Sequence, residues 1–186
     1  MIESIHTKED LAERKTPPTI IVIFGASGDL TARKLVPAIF NLSKDNLLPN
    51  KCFLIGYGRS SMSDEVFKDE LKLALKSFSR REIDELQWNQ LEKNIFFHAG
   101  PYDDLSSFNK LEEKITSLEK GISSKAQCLF YISTPPGVFK PILENLGESG
   151  LARRNRGTNT ASKVIIEKPF GHDLESAHEL NLVINK

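Results

Sequence analysis

Short apolar runs alternate along the chain with longer amphipathic stretches. The apolar runs are rich in Ile, Val, Leu and Phe, which is typical of strands covered on both faces. They predict strands at Thr19–Phe24, Cys52–Tyr57, Asn94–His98, Gln127–Ser133 and Lys163–Glu167. The stretches between them predict helices at Gly28 to about Asp45, Ser63–Phe78, Arg81–Leu91, Leu105–Lys120, Pro136–Ser149 and from Asp173 onward. This alternation indicates right-handed crossovers, and hence an α/β fold with a Rossmann-like, doubly wound, mostly parallel sheet.

Three segments carry more specific expectations. In the helix over Arg81–Leu91 we expect Ile83, Leu86 and Leu91 to face inward. The polar and basic stretch Ala152–Ser162 has no apolar periodicity, which predicts a solvated surface loop, with an anion-binding loop as the alternative. Residues 1–18 mix acids and bases and end in a Pro-Pro pair, so we expect a flexible lead-in followed by one domain over 19–186.

Composition narrows the classes of protein further. The chain of 186 residues has 25 Lys and Arg against 25 Asp and Glu, so bulk charge implies no nucleic-acid or membrane partner. No run approaches the ~20 apolar residues of a membrane span, and the first residues lack the apolar centre of a signal peptide, which favours a cytoplasmic protein. Cys52 and Cys128 are expected to be buried free thiols, since two thiols without histidine partners make a poor metal site.

The end of the first predicted strand carries the most informative motif. The strand ends at Gly25, Gly28 follows three residues later, and a helical stretch comes next. A glycine turn lets the backbone approach a phosphate, and the unpaired N–H groups at the helix start face it. The spacing is G-x-x-G-x-x-T rather than the usual G-x-G-x-x-G, so the motif by itself indicates an anion site with only moderate specificity.

The end of the second strand bears on which nucleotide binds. In dinucleotide folds the residue there meets the adenosine ribose, where a carboxylate selects a free 2′-hydroxyl and an arginine selects a 2′-phosphate. No acid occurs between Lys51 and Ser63, while Arg59 stands at the strand end with Ser60 and Ser61. This favours NADP over NAD. The alternative is that Arg59 is an ordinary exposed loop arginine.

Four segments in this order resemble one known family. They are GASGDLTARKL from Gly25, GYGRS from Gly56, YISTPP from Tyr131 and IEKPFG from Ile166. The set resembles the amino-terminal, NADP-binding domain of the glucose-6-phosphate dehydrogenases, over nearly the whole chain from Thr19. Such enzymes oxidise D-glucose 6-phosphate to 6-phosphoglucono-1,5-lactone with hydride transfer to NADP, the first step of the oxidative pentose phosphate pathway.

The resemblance implies a set of cofactor-binding residues, namely Gly25, Ala26, Ser27, Gly28, Asp29, Leu30, Arg59, Pro101, Tyr102, Ser133 and Lys168. In that set the glycine turn embraces the pyrophosphate, and Arg59 is the 2′-phosphate ligand. Ser133 lies under the nicotinamide ribose, while Lys168 lies between cofactor and sugar phosphate and so also binds substrate. One departure is Thr31, which stands where the family usually has alanine and could crowd the contact between helix and strand.

The resemblance also implies what this chain does not carry. In the family the proton-accepting histidine lies in a larger carboxy-terminal domain, and His6, His98, His172 and His178 match no such motif. The expectation is therefore a cofactor-binding fragment without a catalytic residue or a metal, unable to turn over glucose 6-phosphate alone. The full-length enzyme is expected to be a homo-oligomer, which leaves the fragment free to be a monomer. The alternative is a non-catalytic nucleotide-binding module.

Overall fold

The computed structural model describes residues 16–169, 171 and 173–184. Within them five parallel strands form one sheet in the order β3-β2-β1-β4-β5. The strands are β1 Thr19–Phe24, β2 Cys52–Gly58, β3 Ile95–Ala99, β4 Gln127–Ile132 and β5 Lys163–Ile166. Each predicted strand is present within one residue at either end, so the alternating pattern predicted the sheet correctly.

Helices connect the strands and cover both faces of the sheet. They are α1 Val36–Lys44, α2 Asp64–Phe78, α3 Glu85–Leu91, α4 Leu105–Ile122, α5 Phe139–Glu148 and α6 Leu174–Ile184. Side-chain caps begin several of them, because Ser63, Asp84 and Asp104 each accept a hydrogen bond from an amide in the first turn. Among the described residues, no helix is long and apolar enough to cross a membrane.

Two apolar cores lie on opposite faces of the sheet. On one face α4 and α5 pack over Ile20, Val22 and Phe24 of β1, and on the other α1, α2 and α3 pack beside Ile23. Residues of β1 contribute alternately to the two cores because successive side chains of a strand point to opposite faces of the sheet. The fold is therefore doubly wound, as the sequence predicts. Cys52 and Cys128 are buried free thiols, also as predicted.

Two expectations about burial are wrong. Leu86 is 75 % exposed, because α3 begins only after the Asp84 cap and turns Trp88 inward instead. Strand β5 is not covered on both faces, since Val164 and Ile165 are 37 % and 39 % exposed. The Ala152–Ser162 loop lies at the surface as predicted, since none of its residues is buried, but Arg154 within it forms ion pairs with the fold.

Arg154 fixes this loop to α4. Its guanidinium donates to Glu112 at 2.6 Å and to Glu119 at 2.7 Å, and the Glu119 side chain is only 4 % exposed. Lys125 and the backbone N–H of Ala126 also donate to Glu119. With its charge already met by two carboxylates, Arg154 does not support the anion-binding alternative for this loop.

Candidate functional site

The sheet order creates one crevice at the carboxyl ends of the strands. The chain leaves β1 toward β2 and β3 on one side, and β4 and β5 lie on the other. The connections that follow β1 and β4 therefore cross to opposite faces of the sheet. Their loops separate above Phe24 and Ile132, where these two neighbouring strands end. In open parallel sheets, ligands bind at such a switch point.

The turn after β1 approaches β4 so closely that only glycine fits. Gly25 has a φ of +82°, a conformation that side chains with a Cβ rarely adopt, and a Cβ built there would lie 2.8 Å from the carbonyl oxygen of Ser133. The amides of Gly25 and Ala26 donate to the Tyr57 carbonyl of β2, at 3.1 and 3.2 Å. These two amides thus hold the turn against the sheet, and the Ala26 side chain is buried in the core.

The helix start offers the amides for a ligand. Gly28 N donates back to Gly25 O at 2.9 Å, and the first helical hydrogen bond runs from Ala32 N to Gly28 O at 3.1 Å. The amides of Asp29 and Leu30 precede that bond, where helices lack internal partners and carry partial positive charge. Ser27 and Asp29 are exposed beside them, and Asp29 pairs with Arg33 at 2.6 Å.

The helix departs from regular α-helical geometry soon after its start. Residues Thr31–Leu35 form a π-helical turn, in which the Val36 amide donates to the carbonyl of Thr31, five residues earlier. Single π-turns of this kind are frequent at functional sites. The sequence predicts one continuous helix here, because periodicity does not distinguish a π-turn from an α-turn over five residues.

Tyr102 links the glycine turn to the arginine at the end of β2. Its phenolic oxygen accepts from the Gly25 amide at 3.1 Å, and its ring faces the Arg59 guanidinium carbon at 6.0 Å from the centroid. Tyr102 is 8 % exposed, and this burial raises the pKa of its hydroxyl although Gly25 and Arg59 oppose the change. Arg59 itself is exposed at the crevice, where a guanidinium can bind a phosphate.

Tyr57 supports Tyr102 from below. The two rings lie 5.6 Å apart between centroids, and the Tyr57 hydroxyl donates to the carbonyl of Pro101 at 3.0 Å. Burial raises the pKa of Tyr57 above its ordinary value. Pro101 is exposed, so the segment after β3 is held in place through its backbone and through Tyr102.

Ser133 and Thr31 meet across the switch point. The Ser133 hydroxyl donates to Phe24 O at 2.7 Å, and the Thr31 hydroxyl lies 3.1 Å from Gly25 O and 3.2 Å from the Ser133 hydroxyl. Thr31 is 1 % exposed and hydrogen-bonded, so the threonine fits between helix and strand. The neighbouring Thr134 hydroxyl is buried without a hydrogen-bond partner among the described residues.

Lys168 lies at the far side of the crevice, just beyond β5. Its side chain is exposed, while the preceding Glu167 accepts a short hydrogen bond from the hydroxyl of Tyr131 on β4. Burial, and then the Glu167 carboxylate, raise the pKa of Tyr131 to about 12. The pair fixes the segment from which Lys168 projects.

The structure therefore brings the residues suggested by the sequence to one edge of the sheet. The turn at 25–30, Arg59 and Tyr102 lie on the β1–β2 side, whereas Ser133 and Lys168 lie on the β4–β5 side. Sequence reasoning missed the roles of Thr31, Tyr57 and Tyr131 in holding this edge. The only sequence feature that pointed to these roles was the hydrogen-bonding capacity of their hydroxyl groups. Their partners lie 36 to 102 residues away, and a local sequence pattern does not identify partners at such separations.

A glycine turn at the switch point of a doubly wound sheet defines a dinucleotide-binding domain of the Rossmann class. The model of one family, glucose-6-phosphate dehydrogenase, NAD binding domain, matches residues 22–186. The chain belongs to that family.

Individual relatives agree with the family match. The chain is 41% identical over 174 residues to the glucose-6-phosphate 1-dehydrogenase of Chlamydia pneumoniae, covering 93% of this chain and 34% of that protein. It is 38% identical over 165 residues to the Hanseniaspora uvarum enzyme, covering 87% of this chain and 32% of that protein.

Solved structures show the same relationship. A crystal structure of the glucose-6-phosphate 1-dehydrogenase from Mycobacterium avium matches with a TM-score of 0.75 and 30% identity, over 91% of this chain and 34% of that one. A glucose-6-phosphate dehydrogenase in complex with its substrate glucose-6-phosphate matches with a TM-score of 0.75 and 34% identity, over 90% of this chain and 34% of that one. The chain thus spans about a third of the length of the relatives it matches.

Proposed function

We propose that this chain is the cofactor-binding part of an NADP-linked glucose-6-phosphate dehydrogenase, which oxidises D-glucose 6-phosphate to 6-phosphoglucono-1,5-lactone. One observation carries the proposal. The glycine turn at the switch point is linked through Tyr102 to an exposed arginine, Arg59, whose guanidinium faces the Tyr102 ring. Amides at a helix start suit a pyrophosphate, and an arginine with no neighbouring acid from 51 to 63 suits an additional phosphate.

The residues at this edge fit a bound NADP. The amides of Asp29 and Leu30 would bind the pyrophosphate, and Arg59 would bind the 2′-phosphate through a two-pronged hydrogen bond. Ser133, on the β4 side, would bind the nicotinamide half. When bound, NADP supplies the acceptor for the hydride that leaves carbon 1 of the sugar. The work of this chain is to hold and orient that acceptor.

Lys168 is proposed to lie between the cofactor and the phosphate of the sugar. Its exposed ammonium projects at the carboxyl edge of the sheet, next to the Glu167 carboxylate that Tyr131 holds in place. A fixed backbone beneath a flexible cation favours binding of an anionic substrate at a defined distance from the cofactor. Its counterpart Lys163 is exposed at the opposite, amino end of β5 and serves as a matched control.

The cofactor proposal is tested by titrating the 186-residue chain with NADP and with NAD. We expect the wild-type chain to prefer NADP, and Arg59→Ala to lose about tenfold to a hundredfold in NADP affinity, as for a lost charge-assisted hydrogen bond. Binding of NAD should change little, because NAD has no 2′-phosphate.

Arg80→Ala is the control, since Arg80 is also exposed but follows the end of α2 at the opposite edge of the sheet. It should leave both affinities unchanged. Equal loss of NADP binding in both variants, or an unchanged preference in Arg59→Ala, would contradict the assignment of Arg59.

The activity is tested in a chimera that joins this chain to the remaining two thirds of the Chlamydia pneumoniae relative. We expect NADPH formation from glucose 6-phosphate, with Lys168→Ala slowing turnover at least about a hundredfold and Lys163→Ala leaving it normal. A folded chimera that binds NADP but never forms NADPH would favour the non-catalytic nucleotide-binding module instead.

The cellular setting and assembly are also part of the proposal. Burial raises the pKa of both the Cys52 and the Cys128 thiol to about 11, so neither is suited to redox exchange. Two free thiols of this kind support a reducing, cytoplasmic setting. We propose that the full-length enzyme is a homo-oligomer and that this part by itself is a monomer.

A further inference from the structure

Two hydroxyl groups at the switch point share more hydrogen-bond contacts than they have protons. Thr31 Oγ1 lies 3.1 Å from Gly25 O and 3.2 Å from Ser133 Oγ, and Ser133 Oγ lies 2.7 Å from Phe24 O. Each hydroxyl can donate only one hydrogen bond at a time. At least one of the three contacts therefore always lacks a proton, and the two protons can be arranged in more than one consistent way. Two of these arrangements bear on ligand binding.

The carbonyl groups do not need the hydroxyl protons. Phe24 O also accepts from the backbone N–H of Ser133, at 3.0 Å, and Gly25 O accepts from the N–H of Gly28, at 2.9 Å. Turning either hydroxyl away thus leaves no buried carbonyl without a donor, which removes the main cost of rearranging a buried polar network.

The two arrangements differ in what Ser133 can offer a ligand. In the first, Ser133 donates to Phe24 O while Thr31 donates to Gly25 O. In the second, Thr31 donates to Ser133 Oγ, and the Ser133 hydroxyl proton becomes available to an acceptor in the crevice. Only rotation of two O–H bonds separates them, because the oxygen atoms already lie within hydrogen-bond distance.

We propose that Thr31 is a positioning residue, which donates to Ser133 when Ser133 turns its hydroxyl toward an oxygen acceptor in the nicotinamide half of a bound dinucleotide. This inference rests on the proposed function. Arg59 and Tyr102 lie on the β2 side of the turn, so the adenosine end with its additional phosphate belongs there. The β4 side, where Ser133 lies, is left to the other half of the ligand.

Thr31 is suited to this part because it is buried, and because its other partner, Gly25 O, keeps the Gly28 amide as a donor. It is 1 % exposed and lies at the start of the π-helical turn, so solvent does not compete for its hydroxyl. A donor that strengthens the serine hydroxyl as it turns also makes that hydroxyl a better donor itself, since hydrogen bonds in a chain polarise one another.

The test compares two ligands on variants of the 186-residue chain. NADP reaches both halves of the crevice, whereas 2′,5′-ADP carries only the adenosine half with its phosphates. We expect Thr31→Val, which keeps the shape and removes the hydroxyl, to weaken NADP about threefold to tenfold, the range of one neutral hydrogen bond. Binding of 2′,5′-ADP should not change, and Thr31→Ser should restore NADP affinity.

A double-mutant cycle separates positioning from general damage. In a Ser133→Ala background, where no hydroxyl remains to be supported, Thr31→Val should cost nothing further in NADP affinity. Thr31→Ala is a second variant, used if the buried valine methyl of Thr31→Val disturbs folding. It should likewise weaken NADP binding and leave 2′,5′-ADP binding unchanged.

Three results with these variants would overturn the inference. They are unchanged NADP affinity in Thr31→Val and Thr31→Ala, equal weakening of NADP and 2′,5′-ADP, and full additivity with Ser133→Ala. A folded wild-type chain that binds 2′,5′-ADP but gains nothing from the nicotinamide half would also overturn it while leaving the adenosine site intact. A wild-type chain that binds neither ligand would overturn the proposed function and this inference with it.

Discussion

The hydroxyl of Tyr102 accepts a hydrogen bond from the backbone amide of Gly25, at 3.1 Å, across 77 positions of sequence. The same tyrosine ring faces Arg59, so one side chain from the loop after β3 contacts both the turn after β1 and the end of β2. The three strand ends are thereby held as one surface. The proposed pyrophosphate and 2′-phosphate sites share a single support.

Two substitutions of Tyr102 separate its hydroxyl from its ring. Tyr102→Phe removes the hydrogen bond from the Gly25 amide and should lower the free energy of unfolding by about 1 kcal/mol. The loss should be no larger, because the Gly25 amide keeps its bond to the Tyr57 carbonyl. It should leave the ratio of NADP to NAD affinity unchanged. Tyr102→Leu should lower that ratio about twofold to fivefold, since it also removes the cation–π contact with Arg59. Urea unfolding and titration measure the two effects, and a ratio that falls equally in both variants would contradict a role for the ring.

Gly25 should not tolerate even one additional carbon. Gly25→Ala places a Cβ 2.8 Å from Ser133 O at a φ of +82°, and should destabilise the chain by about 1–3 kcal/mol. NADP binding should weaken as the turn moves. The matched control is Gly121→Ala in α4, where a Cβ would meet no atom within 4 Å and should stabilise by about 0.5–1 kcal/mol. Similar unfolding midpoints for the two variants would refute the close approach of β1 and β4.

Arg154 should be a main determinant of stability in the carboxy-terminal part of the fold. Arg154→Met leaves Glu119, only 4 % exposed, with less compensation, and should cost about 3–5 kcal/mol. Burial favours the neutral form of Glu119, but the Ala126 amide, Lys125 and Arg154 outweigh it and hold the Glu119 pKa below its usual 4.5.

This lowered pKa gives the Arg154 prediction a pH dependence. The contribution of Glu119 is fully present above about pH 4.5 and is lost as the pH falls through its lower, folded-state pKa. The difference between wild type and Arg154→Met should therefore be largest near neutral pH and shrink by pH 3, as urea titrations at the two pH values will measure. A difference that does not change with pH would show that packing, and not charge, accounts for the loss.

His98 should make the chain less stable in mild acid. Its Nε2 lies 2.9 Å from the carbonyl of Ser107. Burial lowers the pKa of His98 below 6.5 with help from Lys114 and Lys110, and it outweighs the Ser107 contact, which acts in the opposite direction. Between that lower value and 6.5 the unfolded chain binds more protons, so stability rises with pH across this window and levels off above it. We expect wild type to be less stable at pH 5.5 than at pH 7.5 in urea unfolding, and His98→Gln to lose less stability over the same interval. An NMR titration of His98 with a midpoint above 6.5 would contradict this.

Local patterns in the sequence determined the fold and pointed to the edge of the sheet where we propose the site. Apolar runs bounded by turns predicted β1 to β5, and Gly25 with Gly28 indicated the turn for which we propose anion binding. Both signals are local because hydrophobic burial and glycine's backbone freedom act within a few residues. Tertiary structure decided what depends on distant partners. The burial of Arg154 against Glu119, the exposure of Leu86, the π-turn at Thr31 and the Tyr102–Gly25 bond all arise only when separate segments meet. Long-range pairing of polar groups follows the packed geometry, which no local pattern encodes.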